Sequence, residues 1–144
     1  MTEYVKPPRP LRQLGEYDPK ELDGFYRKVV EKLNLLLTAP TWVEVTSFEN
    51  SWVNYGSTNQ TAGYTKDAFG FVHIKGCVKD GSSIPTIIFT LPAGYRPSAN
   101  ESFVVETTGG AFGSCFVQTN GTVIASSGGG TSYFWLSGIT FYAG

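Results

Sequence analysis

The sequence predicts a mainly β protein: an antiparallel, jelly-roll-like β-sandwich head preceded by an extended N-terminal peptide and one short helix. Three observations lead there. From Trp42 to the C-terminus the apolar residues alternate in short runs, and clusters of Gly, Asn, Ser and Pro separate the runs. Aromatic residues make up 15% of the chain and 17 of its 144 residues are glycine, a mixture suited to strands joined by tight turns. Charge is unevenly placed: residues 1–37 hold seven Lys/Arg and six Asp/Glu, whereas residues 38–144 hold four and six. Such a shift marks parts with different jobs. It divides the chain into 1–17, 18–37, 38–41 and 42–144.

In residues 1–17, Pro7, Pro8 and Pro10 fix φ and remove backbone donors, which favours an extended, polyproline-like path. A floppy terminus is one reading. The interspersed anchors support another, a peptide that docks on a second protein through Tyr4, Val5, Pro7, Pro8, Arg9, Pro10, Leu11 and Leu14.

The helix over 18–37 has a clear start. Asp18 suits the N-cap, Pro19 the first helical position, and Glu21 gives capping-box-like spacing. Leu22, Tyr26, Val29, Leu33 and Leu36 recur at 4-3-4-3 spacing, a heptad seam. Phe25, Val30 and Leu37 widen the stripe, and Asp23 and Arg27 form an i,i+4 pair on the polar side. Such a helix either lies on its own domain's core or joins others. At under three heptads it needs a partner to be stable. The wide stripe favours a trimeric neck.

After the linker 38–41 (Thr38-Ala39-Pro40-Thr41) strands are expected near 42–46, 51–54, 62–66, 69–78, 85–91, 102–107, 112–118, 121–126 and 132–142. Turn signals fall at Asp80-Gly81, Gly109-Gly110, Asn120-Gly121 and Gly128-Gly129-Gly130. On strand 69–78, alternation assigns Val72, Ile74 and Val78 to the core and Phe71, His73, Lys75 and Cys77 to the other face. A sandwich with ten charged side chains over residues 38–144 leaves its second face poorly solvated. Covering that face with copies of itself, as a closed homotrimer, is the simplest answer.

The net charge of −1 gives no electrostatic reason to expect nucleic acid or an anionic membrane as partner. No run of 18 apolar residues spans a bilayer. The first residues lack an apolar signal core, so synthesis and assembly in a cytoplasm are expected. There Cys77 and Cys115 stay as packed thiols, a disulfide being the alternative if two strands bring them together.

No catalytic group, metal site or cofactor is predicted. His73 is the sole histidine and sits mid-strand; a base there would need a nucleophile beside it and an orienting carboxylate. Glycoside hydrolysis would need two of Glu44, Glu49, Asp67, Asp80, Glu101 and Glu106 to face each other, and nothing in their spacing pairs them. Gly128-Gly129-Gly130 lacks the Lys-Ser/Thr and the helix of a phosphate loop.

The segment Ile87-Ile88-Phe89-Thr90-Leu91-Pro92-Ala93-Gly94-Tyr95-Arg96-Pro97 is a strand stopped by a turn with an aromatic–cation pair beside it. With Trp52-Val53-Asn54-Tyr55-Gly56 and Phe69-Gly70-Phe71-Val72-His73 upstream, and Asn120-Gly121-Thr122-Val123 and Trp135-Leu136-Ser137-Gly138 downstream, it resembles the "TLPAGYRP" signature. That signature belongs to small β-sandwich heads on bacteriophage tail fibres and related virion appendages. The resemblance spans roughly residues 42–144. It implies a homotrimeric virion protein, a tail-fibre or tip-like appendage whose head binds a host receptor, a surface saccharide by preference. A capsid decoration or head fibre anchored by residues 1–17 is the alternative. A motif shared by heads with different receptors is expected to be scaffold, so Trp52, Leu91, Pro92, Gly94, Tyr95, Arg96 and Pro97 are assigned to architecture. Receptor contacts are expected from loops bearing Thr58, Asn59, Gln60, Ser82, Ser83, Thr108, Ser127 and Thr131.

Overall fold

A computed structural model describes residues 19–144, which divide into two compact units at Ala39/Pro40. The predicted docking residues Tyr4, Val5, Pro7, Pro8, Arg9, Pro10, Leu11 and Leu14, and the N-cap candidate Asp18, lie outside the described residues. In the first unit, helix α1 runs Pro19–Leu37, with proline at its first position as expected. Arg27 Nε lies 2.9 Å from Asp23 Oδ2. The helix closes where Thr38 returns both its amide, at 3.0 Å, and its hydroxyl, at 2.7 Å, to the Asn34 carbonyl. None of its described side chains is buried, and Tyr26, Val30, Leu33, Leu35 and Leu36 stay about half exposed.

The second unit is an antiparallel β-sandwich, in agreement with the predicted fold class. Its strands are β1 (Val43–Glu44), β2 (Val53–Asn54), β3 (Gly63–Lys66), β4 (Phe71–Lys75), β5 (Cys77–Lys79) and β6 (Thr86–Thr90), then β7 (Glu101–Thr107), β8 (Ala111–Val117), β9 (Thr122–Ser127), β10 (Phe134–Trp135) and β11 (Ile139–Tyr142). Four form one sheet in the order β1-β3-β4-β11, and seven form the other in the order β2-β5-β10-β7-β8-β9-β6. Between them lies one apolar core. Val72, Ile74, Ile139 and Phe141 come from the smaller sheet; Val78, Phe89, Val105, Val117, Val123 and Phe134 come from the larger.

Two expected strands are broken, at the same level of the molecule. The run 69–78 bends at Gly76, passing from the smaller sheet (β4) to the larger (β5). The run 132–142 bends at Leu136–Gly138 and passes the other way, from β10 to β11. The corners are tied together: Leu136 N–H donates to the Gly76 carbonyl at 2.8 Å, and Gly76 N–H donates to Ser137 Oγ at 3.0 Å. Gly76 adopts φ +110°, and a Cβ there would stand 2.6 Å from the Ala62 backbone, so only glycine turns this corner. The bend leaves the expected face assignments in place. Cys77 and Val78 are both fully buried, but only Val78 joins the core; Cys77 keeps the outer-face position that alternation gives it and is covered there by neighbouring side chains.

A second irregularity lies in β6. Its register with β9 shifts between Ile87 and Phe89, so Ile88 and Phe89 both turn inward at 0–1% exposure. The Asn120-Gly121 turn forms the β8–β9 hairpin, with Gln118 N–H donating to the Thr122 carbonyl at 3.0 Å. Cys115 packs in the core, and both cysteines are free thiols.

Candidate binding surface of the sandwich head

The motif segment and most of the polar loops sit at opposite ends of the larger sheet. At one end β6 leads into Leu91-Pro92-Ala93-Gly94, where Tyr95 N–H donates to the Pro92 carbonyl at 3.2 Å and Gly94 takes φ +90°. Arg96 Nε donates to the Leu91 carbonyl at 2.9 Å, while the Leu91 amide donates to the Gly121 carbonyl at 2.8 Å. Gly121 is required here: a Cβ would meet the Leu91 carbonyl at 2.4 Å and Arg96 Nε at 2.7 Å. Tyr95 meets Tyr64 edge-on with centroids 4.9 Å apart, and Leu91 and Pro97 are buried. Trp52 lies in the core, 5.9 Å from Phe134 and under Gly81, whose missing side chain leaves room for the indole. Of the seven motif residues, Trp52, Leu91 and Pro97 are buried, Tyr95 and Arg96 contact the rest of the head, and Pro92 and Gly94 form the exposed turn, with Arg96 Nε spent on a turn carbonyl.

At the other end, the turns after β5, β7 and β9 and the start of β10 come together. Thr108 Oγ1 accepts from Tyr133 N–H at 3.2 Å, and the Thr131 carbonyl accepts from Asp80 N–H at 2.8 Å. Ser127 Oγ and Ser114 Oγ are 2.8 Å apart, and Ser82 N–H donates to the Asn50 carbonyl at 2.9 Å. Ser83 is exposed beside it. Thr58, Asn59 and Gln60 belong to the loop between β2 and β3, where the Gln60 carbonyl accepts from Cys77 N–H at 3.1 Å.

Strand pairing builds a feature that no single segment contains. Tyr55 N–H donates to the Cys77 carbonyl at 2.9 Å and Cys77 is opposite Trp135. Phe134 faces Thr107, which sets Trp135 beside Glu106, and Glu106 is opposite Phe112. One row on the outer face therefore reads Tyr55, Cys77, Trp135, Glu106, Phe112. At its β2 end, Tyr55, Asn59, Tyr133 and Trp135 wall a hollow of about 190 Å³ with Cys77 at its base. Tyr133 is fixed, because its hydroxyl accepts from Gly110 N–H at 2.7 Å and donates to Glu106 Oε1 at 3.3 Å. Lys79 Nζ stands 5.6 Å from the Tyr55 ring centroid. Burial pushes the Cys77 thiol up, away from thiolate. Of the residues predicted for receptor contact, only Asn59 lines this hollow. Tyr55, Tyr133 and Trp135 escaped notice because aromatic residues in or beside strands read first as core.

The smaller sheet has its own polar row. His73 Nε2 lies 3.1 Å from Asp67 Oδ2, and His73 Nδ1 lies 3.0 Å from Thr140 Oγ1. Partial burial alone would raise the Asp67 carboxyl, but the bonds from His73 and from the amides of Phe71 and Phe69 outweigh it and hold the carboxyl below its usual range. This histidine has the two neighbours that base catalysis demands. They lie on a pleated sheet face, however, and the amides of β4 and β11 are committed to the ladder rather than aimed at a developing oxyanion. Nearby, Lys75 Nζ binds Glu44 Oε1 at 2.8 Å and stands 5.0 Å from the Trp42 centroid, while Thr61 donates to the other Glu44 oxygen. The bonds from Lys75 and then Thr61 hold the Glu44 carboxyl low. Glu44, Glu49, Asp67 and Glu106 are each engaged by a cation, a hydroxyl or the imidazole, not by one another.

With this geometry described, the chain can be set beside known proteins. No family model matches it, and no curated protein matches it. One solved structure does. It is the crystal structure of the receptor binding protein (gp15) of Listeria phage PSA, with a TM-score of 0.66 over 89% of this chain and 81% of that one. Sequence identity is 17%, so the likeness is one of fold.

Proposed function

We propose that this chain is a receptor-binding appendage of a bacteriophage virion, its sandwich presenting a binding surface to the host cell. The observation that carries the reading is the shared fold with a phage receptor binding protein over 89% of the chain. The placement of the signature residues in turn architecture supports it, since it leaves the loop-bearing end and the outer face at β2, β5 and β10 free for recognition. In this reading the receptor is a surface saccharide, residues 1–17 dock on another virion protein, and the working form is a homotrimer.

Trimer formation draws support from two apolar surfaces that are exposed among the described residues. One is α1, whose seam residues Leu33 and Leu36 are 51% and 47% exposed. The other is the outer face of β7 and β8, where Val104 and Phe112 are 78% and 84% exposed. A trimer multiplies weak single-site binding into useful avidity. Purified full-length protein added before infection is expected to block adsorption of the phage that carries it. Undiminished adsorption at saturating protein would refute the receptor-binding role.

A further inference from the structure

We propose that the hollow walled by Tyr55, Asn59, Tyr133 and Trp135 is a subsite for one uncharged pyranose ring of a surface saccharide. The proposal rests on the receptor-binding reading and gives it a location. A pyranose presents C–H groups on its faces and hydroxyls around its edge, so it needs aromatic rings beside a few placed polar groups. The hollow offers that combination. Trp135 on β10 and Tyr55 just after β2 flank Cys77, and the polar residue Asn59 lines the hollow from the β2–β3 loop. Glu106 stands next to Trp135 in the same row and holds the Tyr133 hydroxyl.

Size and rigidity agree. About 190 Å³ suits a single ring rather than a longer chain, which would extend onto the surrounding surface. Tyr133 is held by Gly110 and Glu106 before any ligand arrives, and Cys77 is locked between β2 and β10, so binding orders little. The turn at Thr108–Gly110 lies on the rim through the Gly110–Tyr133 bond. Next to it run Gly128–Thr131, with Gly129 N–H bonded to Thr107 Oγ1 at 2.9 Å. Sequence changes there can alter which sugar is accepted without disturbing the stacking platform.

The test is saturation-transfer NMR on the full chain, with methyl glycosides of glucose, galactose, rhamnose and N-acetylglucosamine as probes. Transfer to at least one is expected. Tyr55→Ala and Trp135→Ala should each weaken it at least tenfold, and Trp135→Phe should retain it. Tyr55 lies on the rim, and unchanged melting of Tyr55→Ala separates lost binding from lost fold. No transfer to any probe overturns the proposal, as does transfer that persists in both alanine variants. Loss of the oligomer in Tyr55→Ala without any sugar signal also overturns it, because a second copy would then cover the hollow. A Tyr55→Ala chain that still blocks adsorption fully would sink the subsite and leave the receptor-binding reading standing. Sugar binding at the hollow without blocked adsorption would do the reverse.

Discussion

Asp67 and Glu44 show how single side chains on the smaller sheet set the head's response to acid. Both carboxyls are more acidic folded than unfolded, Glu44 through Lys75 and Thr61, and Asp67 through His73 and two amides that overcome burial. The stabilisation is complete above the unfolded carboxylate range and is lost as pH falls through the lower folded values. The melting temperature should therefore hold nearly level from neutral pH down to about 5 and drop below about 4. Asp67→Asn and Glu44→Gln should each cost less than about 1 kcal/mol at neutral pH, because the pairs are partly solvated. They should also flatten the acid slope; an unchanged slope in the double variant would remove this account. Gly76 makes a steeper demand. Alanine there adds a Cβ 2.6 Å from the Ala62 backbone at φ +110°, and both strands that change sheet depend on this corner. Gly76→Ala should lower stability by about 3 kcal/mol in urea unfolding, whereas Gly94→Ala, with no atom near its Cβ, should cost clearly less.

At the level of elements, local signals were legible where one short segment determines the outcome. Asn120-Gly121 forms its hairpin, Pro19 opens α1, and alternation located most strands because each needs one buried face. The corners at Gly76 and Leu136–Gly138 were not legible, since alternation looks continuous across a bend that only the partner strand defines. The hollow was hidden for a related reason: Tyr55, Cys77 and Trp135 are distant in sequence and meet only through β2–β5–β10 pairing. For α1, heptad spacing was readable but its partner was not. None of its described residues is buried, and a 19-residue helix with this much exposed apolar surface is marginal alone. If the seam joins copies of the chain, Leu33→Asp with Leu36→Asp should convert the trimer to monomer in light scattering while leaving the head's melting unchanged. Wild-type protein running as a monomer at micromolar concentration would remove the neck altogether.

Considered whole, the molecule separates stability from assembly. The sandwich Pro40–Gly144 has its own continuous core, from Val45 and Trp52 to Ile139 and Phe141. A chain of residues 40–144 should accordingly fold, and unfold in urea within about 0.5 kcal/mol of the head in the full protein. Its binding should suffer far more. If each head offers one shallow subsite, the useful affinity arises from several heads engaging one surface together, a gain of about 10²–10⁴ that needs no new contact. Surface plasmon resonance on immobilised cell-wall polysaccharide from the host would measure both forms. The truncated head should dissociate far faster than full-length protein while giving the same sugar-probe spectrum. Equal dissociation rates would mean that one head suffices, and that the exposed apolar surfaces of α1 and β7–β8 serve something other than avidity.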